Sequence, residues 1–427
     1  MEQKYKDFKV LWWSNAPWAP TGYGVGTKGV IERIKDRYDL RILCFWGLEG
    51  RAMVIDGVLH YPKMFTYLGE DAAETIIKSS DWNPDVMITF FDIWIGEQPS
   101  LIAERNWFTQ ISDRWIPWVP QDHDPCPWAI ANQAKQAFKV VSMSRFGKRT
   151  LADKGVESIY IPIGVDTKIF KPAPYRHEED VQWVIDHTIP LHEERKLSWD
   201  TDSFIIGINA APKDPVRKGF HEMFTAFKIF LDQNPDAKKD ARIHLHSYNR
   251  YPGGWPMDFT ANRIGVMEYI RWTHPYNLYV AYSEEHLARM YNAWKVNFGL
   301  SRREGFGIVF TETAATGIPS IGTGFTSITE LVEGHGWVIP SEGGDDFNIG
   351  KELTPLQGFG AKPDLYKAAD ALEDAYNNPD KLEDLGKKSR AFSLDYDWDI
   401  VGKMWIDFLD GVREELRPQS LKERRML

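Results

Sequence analysis

The chain has 427 residues, of which 43% are hydrophobic and 26% charged, and a formal net charge of −10 at pH 7. At roughly 150 residues per domain this length asks for two sizeable domains with room for a third, and the composition excludes a disordered, fibrous or collagen-like chain. The negative balance removes the bulk basic field with which proteins grip phosphate backbones, and two cysteines, Cys44 and Cys126, give neither a disulfide framework nor a zinc spacing.

Residues 1–7 are charged and run directly into a strand-like segment at 9–13, and nowhere do about 18 apolar residues follow one another as a spanning helix needs. The expectation is a cytoplasmic protein with no transmembrane segment. Between Trp13 and a helix predicted over 28–38 lies a segment with Pro17, Trp18, Pro20 and three glycines, and a fourth, Gly29, stands at the start of that helix. Gly24, Gly26 and Gly29 spell G-x-G-x-x-G, and Glu49 follows at the distance of a dinucleotide fingerprint. That fingerprint requires the strand to pass almost at once into the first glycine. Here two prolines intervene, so the segment reads as a long glycine-rich loop whose bare amides approach an anion or sugar at a helix start, or as a connection without a ligand.

Short apolar runs at 40–46, 86–90 and 139–143 alternate with helical stretches, which predicts βαβ units and a parallel sheet over the first 165 residues. Asp92 follows the run at 86–90. Another strand-like run ends at Val119 and leads into Pro120, Gln121, Asp122, His123, Asp124 and Pro125, at the carboxyl edge where open α/β sheets place ligands. Asp122, His123 and Asp92 are acceptor-side candidates, set against a plain polar turn. Residues 172–200, rich in proline, histidine and charge, are expected to form a linker or insertion between a domain at 1–171 and one at 201–394. Residues 395–427 are expected to form a C-terminal helix crossing back to the first domain, followed by a charged, solvated tail.

The alternation restarts with a strand at 203–208, a helix at 219–233, strands at 242–246 and 295–299, and helices at 284–293 and after Gly307. The loop after the first of these strands brings Arg217 and Lys218 to a helix start. Two adjacent cations there suit a diphosphate, although alone they would read as an exposed basic pair. His244 and His246 alternate along one strand face and read as satisfied sheet residues. In residues 301–319, Gly305 and Gly307 open a helix that Gly317 and Pro319 close. Its free N–H groups and positive dipole end favour a phosphate. Glu304 and Glu312 bracket the same pocket, and carboxylates beside a phosphate are tolerated when sugar hydroxyls donate to them. The competing reading is a capped helix with two solvated glutamates.

With these motifs in this order, the chain resembles the retaining glycosyltransferases of family 4 (glycosyl transferases group 1). The resemblance rests on the N-terminal glycine segment, on Ser142-Met143-Ser144-Arg145-Phe146-Gly147, and on the stretch from Ile161 through Gly164-Val165-Asp166 to Phe170 and Pro172. It continues through Lys218-Gly219, the E-x7-E pair Glu304 and Glu312, and residues 322–336 with Glu330. It implies an α/β protein of GT-B architecture, two Rossmann-like doubly wound domains facing a cleft. The implied activity is retaining transfer of a hexosyl or pentosyl group from a nucleotide diphosphate sugar to an unidentified acceptor hydroxyl.

The resemblance implies that Lys218 binds the donor diphosphate, with Arg217 substituting for an arginine usually found where this chain has Asn209. Glu312 holds the ribose hydroxyls, Glu304 lies near the transferred sugar, Gly305, Phe306 and Gly307 approach the donor, and Gly22 and Gly24 close over the phosphates. Tyr282 and Ser283 mark the nucleobase region. The implied catalytic set is Glu304, Lys218, Arg217, His123 and Asp122. No cofactor is implied beyond the nucleotide-sugar co-substrate, and no metal, since fixed cations stabilise the leaving diphosphate. The D-x-D triplets at Asp122/Asp124 and Asp395/Asp397, which bind metal in the other major glycosyltransferase architecture, stand in a chain that does not match it. The acceptor is left open among a glycan, a lipid-linked sugar, a small molecule and a modified nucleic-acid base, the last opposed by the net charge. Alternatives are a GT-B nucleotide-sugar epimerase or hydrolase, and a non-catalytic nucleotide-sugar-binding subunit. Of the 18 tryptophans, most are assigned to core packing, and Trp18 and Trp128 are candidates to stack on an acceptor.

Overall fold

The computed structural model describes residues 5–79, 81–96, 107–173, 177–190, 197–214, 216–250, 254, 256–342 and 350–417. The first sheet holds β1 (Tyr5–Asn15), β2 (Tyr38–Trp46), β3 (Met53–Ile55), β4 (Val58–Pro62), β5 (Val86–Thr89), β6 (Trp115–Val119), β7 (Val141–Ser142) and β8 (Ile159–Tyr160). They lie in the order β3-β4-β2-β1-β5-β6-β7-β8, parallel except for the β3–β4 hairpin. The second sheet contains β9 (Thr188–Ile189), β10 (Phe204–Asn209), β11 (Ala241–His246), β12 (Ile270–Thr273), β13 (Val296–Gly299), β14 (Ser320–Thr323) and β15 (Trp337–Ile339). Their order is β15-β14-β13-β10-β11-β12-β9, and only β9 runs antiparallel. A separate antiparallel ribbon joins β16 (Lys351–Leu353) to β17 (Phe359–Ala361).

Helices cover both faces of each central strand, so those strands are continuous apolar runs and not alternating ones. Val10, Leu11, Trp12 and Trp13 of β1 are all buried, as is every residue of β5 and β6. Much of the tryptophan excess is here. Trp12 meets Phe90, Trp118 and Trp405 edge-on, with ring centroids 6.3, 6.2 and 5.4 Å apart.

The glycine segment differs from its expected form. The first helix begins at Gly22, not near residue 28, and runs to Ile34 with Thr21 as its cap, so Gly24, Gly26 and Gly29 are helical. A Cβ on Gly26 would collide with the Phe90 ring, and one on Gly29 with Trp398. The glycines permit close packing, and the connection from β1 is a short loop with no dinucleotide turn. The stretch 172–200 also carries structure: a helix at His177–Asp186 buries Val181 and Val184, Asp180 pairs with Arg289 at 2.8 Å, and β9 then extends the second sheet.

The helix Trp398–Leu416 lies against the first domain. Asp410 receives Tyr38 Oη at 2.7 Å and pairs with Arg37, and Arg413 reaches Asp7 at 2.7 Å. Asp397, from the second D-x-D triplet, caps this helix and also accepts the Thr167 hydroxyl, so structural bonds account for it. The tail beyond Arg417 lies outside the described residues. Among those described, no helix is long and apolar enough to cross a membrane.

Candidate active site

The carboxyl ends of the two sheets face each other. On the second domain, the loop after β10 ends at Gly219, whose φ of +68° and contact with the Leu300 carbonyl both require glycine. Arg217 and Lys218 are thereby set before the helix Phe220–Gln233. Lys218 Nζ lies 2.5 Å from Glu304 Oε1, and Arg217 Nη1 lies 3.3 Å from Glu304 Oε2 and from the Arg303 carbonyl. The Glu304 loop is held from beneath: Thr326 Oγ1 accepts the Glu304 N–H at 3.0 Å, and Ser327 Oγ donates to the carbonyls of Glu304 and Phe306. Gly307, at φ +103°, then caps the helix Ile308–Ala315. Burial would raise the Glu304 pKa, but the Lys218 charge and then that of Arg217 outweigh it and hold the carboxyl at about 2. Burial lowers Lys218.

Glu312, 6% exposed, accepts Tyr291 Oη at 2.6 Å, and Asn209 Nδ2 donates to that phenol at 2.8 Å. Burial pushes Glu312 up to about 7. Asn209, expected beside the diphosphate, thus has its amide turned to Tyr291. Gly305 packs so tightly on Pro120 that a Cβ would approach it to 2.9 Å, which makes this glycine a point of domain contact. Phe306 is buried with its ring 6.0 Å from Tyr396, leaving only its backbone for a ligand. Tyr282 stacks on His246 at 5.2 Å, and Ser283 caps the helix Glu284–Asn292. His244 and His246 both meet Thr273 Oγ1, at 3.0 and 2.9 Å, and so are satisfied within the sheet.

From the first domain, Gly22 opens its helix close to Ile308, where a Cβ would meet the Ile308 side chain at 3.3 Å. Two helix N-termini therefore converge on one cleft, a double positive pole suited to an anion. Gly24 is packed against the Ala19 carbonyl. Asp92, after β5, accepts Tyr23 Oη at 3.1 Å. Asp122, after β6, places Oδ1 2.5 Å from His123 Nδ1 and Oδ2 3.5 Å from Arg303 Nε of the second domain. Burial, then the Asp122 charge, raises Asp92 to about 6, whereas the His123 hydrogen bond and the Arg217 and Arg303 charges overcome burial to hold Asp122 low. His123 is 3% exposed, its Nε2 has no hydrogen-bond partner among the described residues, and Gly358 packs on its ring.

Asp124 does not join this cluster; it bridges to Phe359 and faces Arg149 at 3.5 Å. Among the described residues no three His, Cys, Asp or Glu side chains are grouped to hold a metal. Trp18 and Trp128 are 45% and 64% exposed; Trp18 Nε1 donates to the Gly47 carbonyl, and among the described residues no hydrogen bond or ring contact ties either tryptophan to the Asp122–Arg217 cluster. Glu330 reaches across the domains to the Arg145 N–H at 3.0 Å. Sequence reasoning did not single out Tyr23, Arg303 or Tyr291. The first two adjoin motif residues, which was the available signal; Tyr291 had none.

No family model matches the chain, and no curated protein matches it by sequence. Its shape matches solved structures along nearly the whole length. Sucrose-phosphate synthase from Thermosynechococcus elongatus gives a TM-score of 0.69 at 15% identity, covering 96% of this chain and 100% of that one. HepE of Anabaena, in complex with UDP and glucose, gives 0.67 at 13% identity over 95% and 100%. A UDP-forming α,α-trehalose-phosphate synthase from Burkholderia vietnamiensis gives 0.65 at 13% identity over 96% and 99%. At such identities the likeness is one of fold, and the fold is GT-B, as the sequence motifs led one to expect.

Proposed function

We propose that this chain is a glycosyltransferase that moves a sugar from a nucleoside diphosphate donor to an acceptor hydroxyl, with retention at the anomeric carbon. The observation that carries the reading is the convergence of Arg217 and Lys218 on Glu304 at the start of the helix Ile308–Ala315, facing Asp92, Asp122 and His123 across the cleft. Breaking the anomeric bond leaves charge on the diphosphate. Two fixed cations and two helix N-termini stabilise that charge more than they stabilise the intact donor. They supply the electrostatic role of a metal, so the reaction is proposed to need none.

In this reading Glu312 accepts the donor ribose hydroxyls and Glu304 turns from its cations to a hydroxyl of the transferred sugar. Asp122, His123 and Asp92 belong to the acceptor side. A UDP-sugar donor is supported by the HepE complexes with UDP and with UDP-glucose, and retention by the E-x7-E resemblance. The test is nucleotide release from a panel of nucleotide sugars, with Lys218→Ala and Glu312→Ala alongside and with chelator added. Release by the parent, loss in both variants and indifference to chelator are expected. No release or binding with any donor would sink the enzyme reading, and variants as active as the parent would move the site elsewhere.

A further inference from the structure

Glu312 is oriented by residues from two other elements. Asn209 ends β10, Tyr291 sits on the helix Glu284–Asn292, and Glu312 sits on the helix Ile308–Ala315. Asn209 Nδ2 donates to Tyr291 Oη at 2.8 Å, and Tyr291 Oη donates to Glu312 Oε2 at 2.6 Å. Because the amide fills an acceptor position on the phenol oxygen, the phenolic proton is directed at the carboxylate, and the chain has one sense from amide to phenol to carboxylate. The phenol has no room to swing. Tyr291 is fully buried against Trp294, at 5.0 Å between rings, and Phe170, at 6.0 Å, while Trp294 is itself pinned by its bond to His244 at 3.0 Å. Among the described residues no hydrogen bond reaches Glu312 Oε1, so that oxygen is left for a ligand.

We infer that Tyr291, held by Asn209, is a positioning residue that fixes the Glu312 carboxylate toward the donor ribose and so sets a preference for ribo- over 2′-deoxyribonucleoside diphosphates. The inference rests on the reading of Glu312 as the ribose partner. A buried carboxylate locked in place is left underpaired when a ligand lacks the hydroxyl it was set to receive, and sites of this kind reject the deficient analogue strongly. A carboxylate freed from Tyr291 can turn aside, and the penalty shrinks.

The test is calorimetric binding of UDP, GDP and ADP to the full chain. The tightest of the three is then compared with its 2′-deoxy form in the parent, Tyr291→Phe, Asn209→Ala and Glu312→Gln. The parent is expected to favour the ribonucleotide by about tenfold or more. Tyr291→Phe is expected to remove most of that ratio, chiefly by weakening the ribonucleotide, and Asn209→Ala to remove part of it. A general loss of packing would weaken both ligands alike and leave the ratio standing, which would overturn the proposal. A ratio kept in Tyr291→Phe but abolished in Glu312→Gln overturns the positioning role and leaves the ribose reading intact. No binding, or no preference in the parent, overturns both. Where Tyr291→Phe fails to fold, the ratio in Asn209→Ala decides by the same criterion.

Discussion

Lys218 Nζ and Glu304 Oε1 lie 2.5 Å apart in a buried cleft, with Arg217 on the other carboxylate oxygen at 3.3 Å. In the proposed enzyme these are the cations meant for the donor diphosphate, so before donor arrives their charge is turned to a carboxylate of the protein itself. Binding must break this pair. Glu304→Gln is therefore expected to tighten binding of the free nucleoside diphosphate several-fold while lowering turnover at least tenfold, since the sugar loses its acceptor. Lys218→Ala acts on the fold instead, leaving the buried Glu304 carboxylate with Arg217 as its remaining cation, at a cost of about 3 kcal/mol. Calorimetry with the nucleoside diphosphate and denaturant unfolding read the two effects. Weaker nucleotide binding by Glu304→Gln would show that the pair does not compete with the donor.

Donor binding should depend on pH through Glu312. Burial lifts its pKa to about 7; the Tyr291 hydroxyl opposes the rise, and Glu284, itself paired with Lys28 of the first domain at 2.7 Å, adds to it. The raised value means that folding disfavours the ionised form, so stability from this group is lost as pH rises from the ordinary glutamate value toward 7. Ligand binding has the opposite sense, because ribose hydroxyls donate to the carboxylate. Donor affinity is expected to fall about tenfold per pH unit below 7 and to level off above it. Glu312→Gln should flatten that profile. Lys28→Ala leaves Glu284 unneutralised and should move the midpoint upward. A profile unchanged in Glu312→Gln assigns the titration to another group.

Much of the fold was legible because strands buried on both faces are continuous apolar runs, and because Gly305, Gly307 and Gly317 punctuate a helix by local rules. The helix at Ile308–Ala315 and the placing of Glu304 before it follow from the residues in that segment. Only the part of the helix Gly22–Ile34 before residue 28 reads as a loop in the sequence, because glycine signals a break locally, whereas the partners that let its glycines pack, Phe90 and Trp398, come from distant parts of the chain. The helix in the expected linker shows a narrow apolar face, Val181 and Val184, too little to register as periodicity. Arg303 and Tyr291 find Asp122 and Glu312 only after separate loops and helices have converged, and no spacing in the chain encodes such a meeting.

Two glycines in helices test this account of packing. Helix propensity alone favours alanine over glycine by about 1 kcal/mol. At Gly411, in the helix Trp398–Leu416, a Cβ would enter open space, so Gly411→Ala is expected to stabilise by about 0.5–1 kcal/mol. At Gly29 the same methyl would enter the Trp398 ring, and overpacking of that kind costs about 1–3 kcal/mol. Gly29→Ala is therefore expected to destabilise on balance and to loosen the C-terminal helix from the first domain. Urea unfolding of both variants checks the signs, and stabilisation by Gly29→Ala would contradict the close contact.

On the acceptor side, Asp92 offers a test in which two substitutions must move one quantity in opposite directions. Burial, then the charge of Asp122, raises its pKa to about 6, while the Tyr23 hydroxyl bond and the charges of Arg217 and His123 pull it down. If Asp92 accepts the proton of the attacking hydroxyl, transfer should rise through about pH 6 as the carboxylate ionises, and fall below it. Asp122→Asn removes the neighbouring negative charge and should shift that acid limb to lower pH, although it also frees Arg303 and His123 and so should lower the plateau about tenfold or more. Tyr23→Phe removes the hydroxyl donor at 3.1 Å and should shift the limb to higher pH. The measurement is turnover against pH at saturating donor in the parent and both variants. Shifts in the same direction, or none, would take Asp92 out of the proton path and leave its pairing with Tyr23 as a brace between the first helix and β5.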